Sequence, residues 1–245
     1  MSALHHLQTA SGTVTDGELL SAYPWPEQGV WVRAMMVTTL DGAAAGADGL
    51  SGSVSSDADQ QVFRTTRRHA DAVLVGAQTL RAEEYTPMRA KPEDAEARAA
   101  TGQLPAPVVV VVSRSLDLPW DLPIWAESTH RPIVLTDPTA PTAARELAEQ
   151  HADVIELPET SPAGILGALA ARGLHRVVCE GGPRLLHELT SAGLVDEVDI
   201  TIAPLFAGTG RTPATGVLDE SVRFELAHVI ESEGFLMTRY LRTGR

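Results

Sequence analysis

Cysteine is almost absent from the sequence of 245 residues, in which Cys179 is the single one. One thiol cannot form an intrachain disulfide, and it cannot supply a zinc site that needs two cysteines. The histidines are scattered and show no spacing typical of metal ligands. We therefore predict that the protein has no disulfide and no metal, and that it works in a reducing, cytoplasmic environment.

Positive charge is also scarce, because 19 Lys and Arg residues face 32 Asp and Glu residues, for a net charge of −13. Proteins that bind nucleic acids neutralise phosphates with Lys and Arg, so this balance argues against a general nucleic-acid binder. No apolar run approaches the roughly 20 residues that span a bilayer. The N-terminus lacks the basic start and apolar stretch of a signal peptide. The sequence thus predicts a protein with no nucleic-acid partner and no membrane partner.

Short runs rich in Val and Ile recur after residue 29, as expected for strands that are buried on both faces. These predicted strands are Val30–Val37, Asp71–Ala77, Pro107–Ser113, Pro132–Thr136, Ala152–Pro158 and Arg176–Glu180. Helical patterns separate several of them, from Ser56 to about His69, and at Pro141–Gln150, Pro162–Ala171 and Pro183–Ala192. The alternation predicts βαβ units and a mostly parallel sheet.

The last part of the chain has a different pattern, in which strand-like segments follow one another without helices. Asp196–Phe206 alternates like a half-buried strand, and residues 222–232 and 234–242 indicate a hairpin that turns at Glu233–Gly234. We predict antiparallel C-terminal strands at one edge of the sheet. Residues 30–245 are then one α/β domain that follows an irregular lead-in, residues 1–29. The polar stretch Arg89–Pro107 is predicted to be a mobile surface loop, with room for a helical turn, and not a domain boundary.

The segment Glu180-Gly181-Gly182-Pro183 joins a predicted strand to a predicted helix. Glycines ahead of a helix start let an anion approach the backbone amides, which favours a pyrophosphate site. The same glycines are also typical of a tight turn that needs their conformational freedom, and the local sequence alone favours this second interpretation. Neither a Walker sequence nor a Gly-x-Gly-x-x-Gly fingerprint occurs. Glu180 lies at the carboxyl end of the strand, where open parallel sheets bind ligands.

A second candidate region extends from Thr38 to Arg89 and also follows a buried strand. Its residues Leu40-Asp41-Gly42 indicate a turn. Three arginines occur close together at 64, 67 and 68. They fit two interpretations, a basic last helical turn or an arginine that binds a substrate phosphate through two hydrogen bonds.

Taken in order, several motifs resemble the reductase domain of the bifunctional deaminase-reductases of riboflavin biosynthesis, which has a dihydrofolate-reductase-like fold. They are Leu40-Asp41-Gly42, a Gly-x-Ser loop, Arg67, VGAQTL and EGGPRLLHELTSAGLVDEVDITIAP, and the resemblance covers roughly residues 30–241. The chain has neither the length nor the cysteines for the zinc deaminase domain, so it resembles a stand-alone reductase. The resemblance implies NADPH-dependent reduction of 5-amino-6-(5-phosphoribosylamino)uracil to the ribitylamino product, by a homodimer.

The resemblance also implies roles for individual residues. Those at cofactor-binding positions are Thr38, Ser53, Gly76, Thr79, Glu83, Ser113, Arg114, Gly181, Gly182, Pro183, Arg184 and Leu185. Those at substrate-binding positions are Asp41, Ser51, Arg67, Arg89 and Glu180. Catalysis needs a proton source beside the hydride, and Glu83 and Glu180 are the two candidates. A purely solvated role at a helix end stays open for Glu83 and Glu84.

Some positions depart from the family pattern near the expected nicotinamide and substrate. Ser53 stands where a tryptophan is common, Thr39 replaces a serine, and residues 83–89 replace the usual Asp-Asp-Pro pattern. These departures bear on the substrate more than on the fold or the cofactor. Two alternatives follow, a dihydrofolate- or pteridine-type reductase on the same fold and an NADPH-binding protein without turnover.

Overall fold

A computed structural model describes residues 12–83 and 85–244. In these ranges the strands are β1 (Trp31–Thr39), β2 (Ala72–Gly76), β3 (Val108–Val112), β4 (Ile133–Thr136), β5 (Asp153–Glu156), β6 (Arg176–Cys179), β7 (Glu197–Ala203), β8 (Phe224–Ser232) and β9 (Phe235–Arg242). The helices are α1 (Asp16–Ala22), α2 (Asp57–Arg68), α3 (Ala77–Ala82), α4 (Ala95–Ala100), α5 (Ile124–Glu127), α6 (Thr142–His151), α7 (Pro162–Ala170) and α8 (Pro183–Ser191). The strands form one sheet in the order β5-β4-β3-β2-β6-β1-β7-β9-β8.

The six runs rich in Val and Ile form β1 to β6, so these strand predictions are confirmed to within about two residues. All six pair in parallel with their neighbours in the sheet. β2, β3, β4 and β6 are apolar and buried because helices cover both faces of this part of the sheet, whereas the edge strand β5 exposes Asp153 and Glu156.

The antiparallel edge is confirmed as well, with one refinement. β7 is parallel to β1, because helix α8 returns the chain to the same end of the sheet, and only β9 runs against it. β8 pairs with β9 through a turn at Glu233 and Gly234, whose φ angles are 53° and 82°. Two positive φ angles in a two-residue loop are the geometry that suits the twist of a hairpin.

The four predicted helices are present as α2, α6, α7 and α8. The Ser56 hydroxyl accepts a hydrogen bond from the Asp59 amide at 3.2 Å and so caps α2. The Asp59 carboxylate does not complete a capping box; it accepts a hydrogen bond from the Thr201 hydroxyl at 2.6 Å. Gly173 and Gly193, at φ of 74° and 66°, follow α7 and α8 and end them, as glycine commonly does after a helix.

The prediction of an irregular lead-in was wrong. The lead-in contains α1, which begins with a capping box at Thr15 and buries Leu19; residues 1–11 lie outside the described part. The stretch 89–107 contains a helical turn, α4, and is anchored to the domain, since Arg98 is 1% exposed and donates hydrogen bonds to the carbonyl oxygens of Arg68 and Ala70. A local sequence pattern cannot show that a polar side chain is buried against partners that are distant in the sequence.

Alternate residues of the strands build apolar layers on the two faces of the sheet. One layer joins even-numbered residues such as Val32 and Leu74 to α7 and α8, and the other joins Val73 and Val109 to α5 and α6. The parallel strands all end at one edge, so the loops after β1, β2 and β6 lie together there. In the described ranges, no helix is both long and apolar enough to traverse a lipid bilayer.

Candidate functional site

Two glycine-bearing turns meet where β2 and β6 end. The Gly76 amide donates to the carbonyl oxygen of Gly181 at 2.9 Å, and the Gly182 amide donates to the Thr79 hydroxyl at 2.8 Å. Gly181 and Gly182 have φ angles of 94° and 49°, a region that side chains with a Cβ atom rarely adopt. The turn therefore requires glycine, as the tight-turn interpretation holds.

The same geometry leaves a helix start open toward a cavity. Pro183 has no N–H, and the Arg184 and Leu185 amides belong to the first turn of α8, where no intrahelical acceptor exists. Both residues line the cavity, and the N-cap residue, Gly182, has no side chain that could accept their hydrogen bonds. The positive end of the helix dipole thus faces empty space, which is the arrangement that the anion-site interpretation needs.

Two cavities adjoin at this helix start, and we call the two together the groove. The first has a volume of about 640 Å³ and the second about 800 Å³, and both are lined by Gln78, Gly182 and Arg184. The first extends over β3 toward Arg114. We call it the outer cavity, and we call the second, which reaches Ser51 and Glu180, the inner cavity.

Arginines border the outer cavity, although the protein is acidic. Arg81, Arg114 and Arg184 all line it. Ser113 also lines it, but its hydroxyl is 3.0 Å from the Leu116 amide and accepts a hydrogen bond from it. The outer cavity therefore offers exposed guanidinium groups to an anion, although the carboxylates of Asp137, Glu159 and Glu188 also line it.

An ion pair between Arg67 and Glu180 lies on the wall of the inner cavity. The Arg67 Nε bonds Glu180 Oε1, and an Arg67 Nη lies 2.5 Å from Glu180 Oε2, so both carboxylate oxygens face the guanidinium. The ring of Phe63 stacks below at 4.4 Å. Although burial disfavours the charged guanidinium, attraction to Glu180 outweighs it and raises the pKa of Arg67.

Glu83 and Ser51 meet on the same wall. The Ser51 amide donates to Glu83 Oε1 at 2.9 Å, so this carboxylate belongs to the cavity and is not merely a solvated group at a helix end. Tyr85 lies beside them, and burial, together with the nearby Glu180 carboxylate, raises its pKa well above the ordinary value. Glu84 lies outside the described residues.

Four predicted site residues do not line either cavity. Thr38 is buried in β1. The Ser53 hydroxyl bonds Asp48 and the Leu50 carbonyl oxygen. Arg89 pairs with Glu127 on the surface. For these side chains the geometry gives no support to the predicted contacts.

Asp41 is the fourth, and its carboxylate holds a loop. It accepts hydrogen bonds from the Thr39 hydroxyl and from the amides of Ala207 and Gly208, the last at 2.7 Å. These hydrogen bonds lower the pKa of Asp41 to about 2, and the bond from Thr39 makes the largest contribution. In the structure its carboxylate holds the segment after β7.

Other predicted residues are brought together in the groove. The outer cavity is lined by Gly76, Ser113, Arg114, Gly182, Arg184 and Leu185, and the inner cavity by Ser51, Arg67, Thr79, Glu83, Glu180, Gly181, Gly182, Pro183 and Arg184. Residues from four loops thus converge at one sheet edge, as the positions of the motifs at strand ends predicted.

Sequence reasoning missed part of the inner wall. Asp59 and Gln60 of α2 line it, and so do Gly210, Arg211 and Thr215 from the connection between β7 and β8. The α2 residues could have been found from helical spacing, since Asp59, Phe63 and Arg67 recur every fourth position on one helix face. The connection gave no such signal, because its path over the cavity is set by distant contacts.

Comparison with known proteins agrees with this geometry. Residues 30–234 match the family described as the RibD C-terminal domain. The chain belongs to this family. A pyrimidine reductase-like protein from Corynebacterium diphtheriae has the same fold over 88% of this chain and 93% of its own, with a TM-score of 0.71 and 27% identity.

Curated RibD-family relatives differ in length. The 2,5-diamino-6-ribosylamino-4(3H)-pyrimidinone 5′-phosphate reductase of Methanothermobacter thermautotrophicus is 30% identical over 80% of this chain and 86% of its own length. The chloroplastic riboflavin biosynthesis protein PYRR of Arabidopsis thaliana is 28% identical over 72% of this chain. The match spans only 28% of that longer protein. The resemblance to a riboflavin-pathway reductase domain is therefore confirmed at the level of the family.

Proposed function

We propose that this RibD C-terminal domain protein is an NADPH-dependent reductase of riboflavin biosynthesis, which converts 5-amino-6-(5-phosphoribosylamino)uracil to the ribitylamino product. The observation that carries the proposal is the groove from the open helix start of α8 to the Arg67–Glu180 pair. A dinucleotide and a second ligand need such adjoining spaces. The Methanothermobacter relative, of similar length, is named for reduction of a related ribosylamino pyrimidine phosphate.

The glycine turns fit a dinucleotide phosphate. A Cβ atom on Gly182 would lie 3.3 Å from the Thr79 hydroxyl, and one on Gly181 would lie 3.0 Å from the Met36 methyl group. With glycine at both positions, phosphate oxygens can approach the Arg184 and Leu185 amides. Arg114 in the outer cavity would then face the adenosine end, where its charge favours the extra phosphate of NADPH over NADH.

The inner cavity supplies the groups for the reduction. When bound, NADPH would supply a hydride to the sugar carbon of the ring-opened imine. Both Glu180 oxygens face Arg67, so we assign Glu180 to orienting the substrate. Glu83, which is fixed by the Ser51 amide, is assigned to passing a proton to the adjacent nitrogen, directly or through water.

The test is consumption of NADPH, followed by the absorbance of the reduced nicotinamide. Three substrates are compared, namely the deaminated uracil compound, its 2,5-diamino pyrimidinone precursor and dihydrofolate. Turnover of the uracil compound supports the proposal. Exclusive turnover of the precursor reassigns the substrate within the same class, and exclusive turnover of dihydrofolate contradicts it. Binding of NADPH without any turnover would indicate a non-catalytic protein.

Coenzyme placement has a separate test in Gly182→Ala. We expect NADPH affinity to fall about tenfold or more, since the φ of 49° is strained for alanine and the Cβ would press on Thr79. Gly173→Ala is the matched control, because Gly173 also has a positive φ but its Cβ would meet nothing within 4 Å. Calorimetric titration with NADPH measures both variants. Equal affinities would place the coenzyme elsewhere.

The homodimer and the cytoplasmic location stay predictions. The exposed edge strand β8, with the exposed Leu226, and the exposed Leu236 of the neighbouring β9 offer a surface for a second copy. Light scattering behind size-exclusion chromatography gives the molar mass in solution, and a monomer at micromolar concentration would contradict the homodimer. Fractionation of the native cells tests the location.

A further inference from the structure

The connection between β7 and β8 crosses the mouth of the inner cavity. We call residues 204–216 the strap. The Ala44 amide donates to the Arg211 carbonyl oxygen at 2.6 Å, and the Thr215 amide donates to the Pro183 carbonyl oxygen at 3.2 Å. The strap is therefore attached both to the loop after β1 and to the start of α8. This path places Arg211 on the cavity wall.

The guanidinium of Arg211 lies over Gly49. Its Nη1 donates to the Gly49 carbonyl oxygen at 3.3 Å, and a Cβ atom on Gly49 would come within 2.7 Å of the same nitrogen. Gly49 also has a φ of 86°. Because position 49 is a glycine, the guanidinium of Arg211 can pack directly against the backbone of this loop. The guanidinium reaches the cavity from the side that Ser51 borders.

Arg211 differs in its ion pairing from the other arginines that line the inner cavity. Arg67, Arg184 and Arg211 line it, but Arg67 is paired with Glu180, and Arg184 is paired with Glu188 at 2.9 Å. Over residues 12–83 and 85–244, Arg211 forms no salt bridge. The Asp48 carboxylate already accepts hydrogen bonds from the Leu50 amide and the Ser53 hydroxyl, which lower its pKa, and the charge of Arg211 adds only a smaller part of this shift.

We propose that Arg211 binds the phosphate monoester of the substrate, an inference that rests on the proposed function. A phosphate dianion needs a guanidinium whose hydrogen bonds are not already directed at a carboxylate. Arg89, expected from the sequence to serve here, pairs with Glu127 and does not line the cavity. Arg211 fills that role from the strap, and it acts on binding, since it contacts no reacting atom.

The experiment compares Arg211→Gln with the wild type on two substrates, the phosphorylated compound and its dephosphorylated ribosyl analogue. We expect the variant to raise KM for the phosphorylated substrate by about 10- to 100-fold, the usual value of a charge-assisted bond. The kcat, and the KM for the analogue, should change less than about twofold. Arg211→Lys should recover part of the loss, because a point charge remains.

Arg223→Gln is the matched control, since it removes an exposed arginine near the end of the same connection and outside both cavities. A KM that rises equally for both substrates in Arg211→Gln, or for neither, would overturn the proposal. Calorimetry with ribose 5-phosphate provides an independent measurement, in which Arg211→Gln should weaken binding by a similar factor. If the wild type turns over no pyrimidine substrate, the proposed function fails. The ribose 5-phosphate titration still decides the role of Arg211.

Discussion

Two buried Arg–Glu pairs in this protein have the same chemistry and different surroundings. Arg67 and Glu180 lie on the wall of the inner cavity, with side chains 20% and 1% exposed. Arg33 and Glu197 lie inside the sheet, both 0% exposed, with Arg33 Nε 2.9 Å from Glu197 Oε1. The ring of Trp25 covers the second pair and lies 4.1 Å from the Arg33 guanidinium.

The enclosed pair is part of a larger network. Glu197 accepts hydrogen bonds from Arg239 Nε at 2.6 Å and from the Trp31 indole nitrogen at 2.8 Å. Burial alone would raise the pKa of Glu197, but the two arginines outweigh it and lower the pKa. The network also includes Asp199, whose Oδ2 lies 3.4 Å from Arg33 Nε, and the protein encloses all four charged side chains. The cavity pair, by contrast, has one side open to a ligand, so we expect one pair to stabilise the fold and the other to serve function.

The largest effect is expected from Glu197→Ala, which should lower the free energy of unfolding by about 3–5 kcal/mol. The substitution removes the carboxylate that Arg33 and Arg239 share and leaves Arg33 only Asp199, 3.4 Å away, and breaking a buried pair costs about this much. Denaturant titration measures the loss. Glu225→Ala is the control, because Glu225 is exposed on β8 and shares the cross-strand neighbourhood of Leu241. A loss below about 1 kcal/mol for Glu197→Ala would erase the contrast between the two pairs.

Glu180→Gln should lower kcat/KM about 100-fold, or about 2.7 kcal/mol in the barrier, while the free energy of unfolding falls by only about 1 kcal/mol. The amide cannot accept both bonds from Arg67, so the substrate loses its orienting group. Water in the open cavity can hydrate the guanidinium that remains. Steady-state kinetics and denaturant titration are run on the same preparation. A variant that is unstable yet fully active would reverse the assignment.

Arg67→Lys should lower kcat/KM about tenfold, and equally for phosphorylated and dephosphorylated substrates. Lysine offers a point charge and cannot hold both Glu180 oxygens in one plane, so the effect passes through Glu180. The measurement is the ratio of the two losses. A loss confined to the phosphorylated substrate would assign phosphate binding to Arg67, which is one of the two interpretations that the sequence allows.

The smallest effect concerns pH and His228, which packs edge-on against Tyr23 beside the enclosed network. Burial lowers the pKa of His228 from 6.5, and Arg239 and Arg33 lower it further, although Glu197 opposes them. The unfolded state then binds more protons, so stability falls as the pH drops below 6.5 toward the folded-state pKa.

His228→Gln should make the free energy of unfolding depend less on pH in this range. Denaturant titrations at pH values on both sides of 6.5 give the difference between variant and wild type. The pKa values of His69 and His130 are also lowered by burial. Both residues are present in the variant and in the wild type, so their contributions cancel in the difference. An unchanged pH dependence would show that His228 can take up a proton without cost.

Much of the fold could be predicted because its signals are local. The valine run of β3 and the glycine stops at Gly173 and Gly193 each depend on a few neighbouring residues. The predictions failed where the stabilising partner is distant in sequence. Arg98 is buried on carbonyl oxygens about 30 residues away, and α1 packs Leu19 against Met35 and Val62. No local pattern reports such contacts.

The candidate site divides in the same way. The sequence by itself determined that strand ends with glycine turns and polar loops gather at one sheet edge, because parallel strands must end together. Only the tertiary structure decided which charged groups face the cavity. It pairs Arg67 with Glu180, moves Arg89 to the surface and brings Arg211 in on the strap. The reason is that an ion pair forms between neighbours in space, and 113 residues separate Arg67 from Glu180 along the chain.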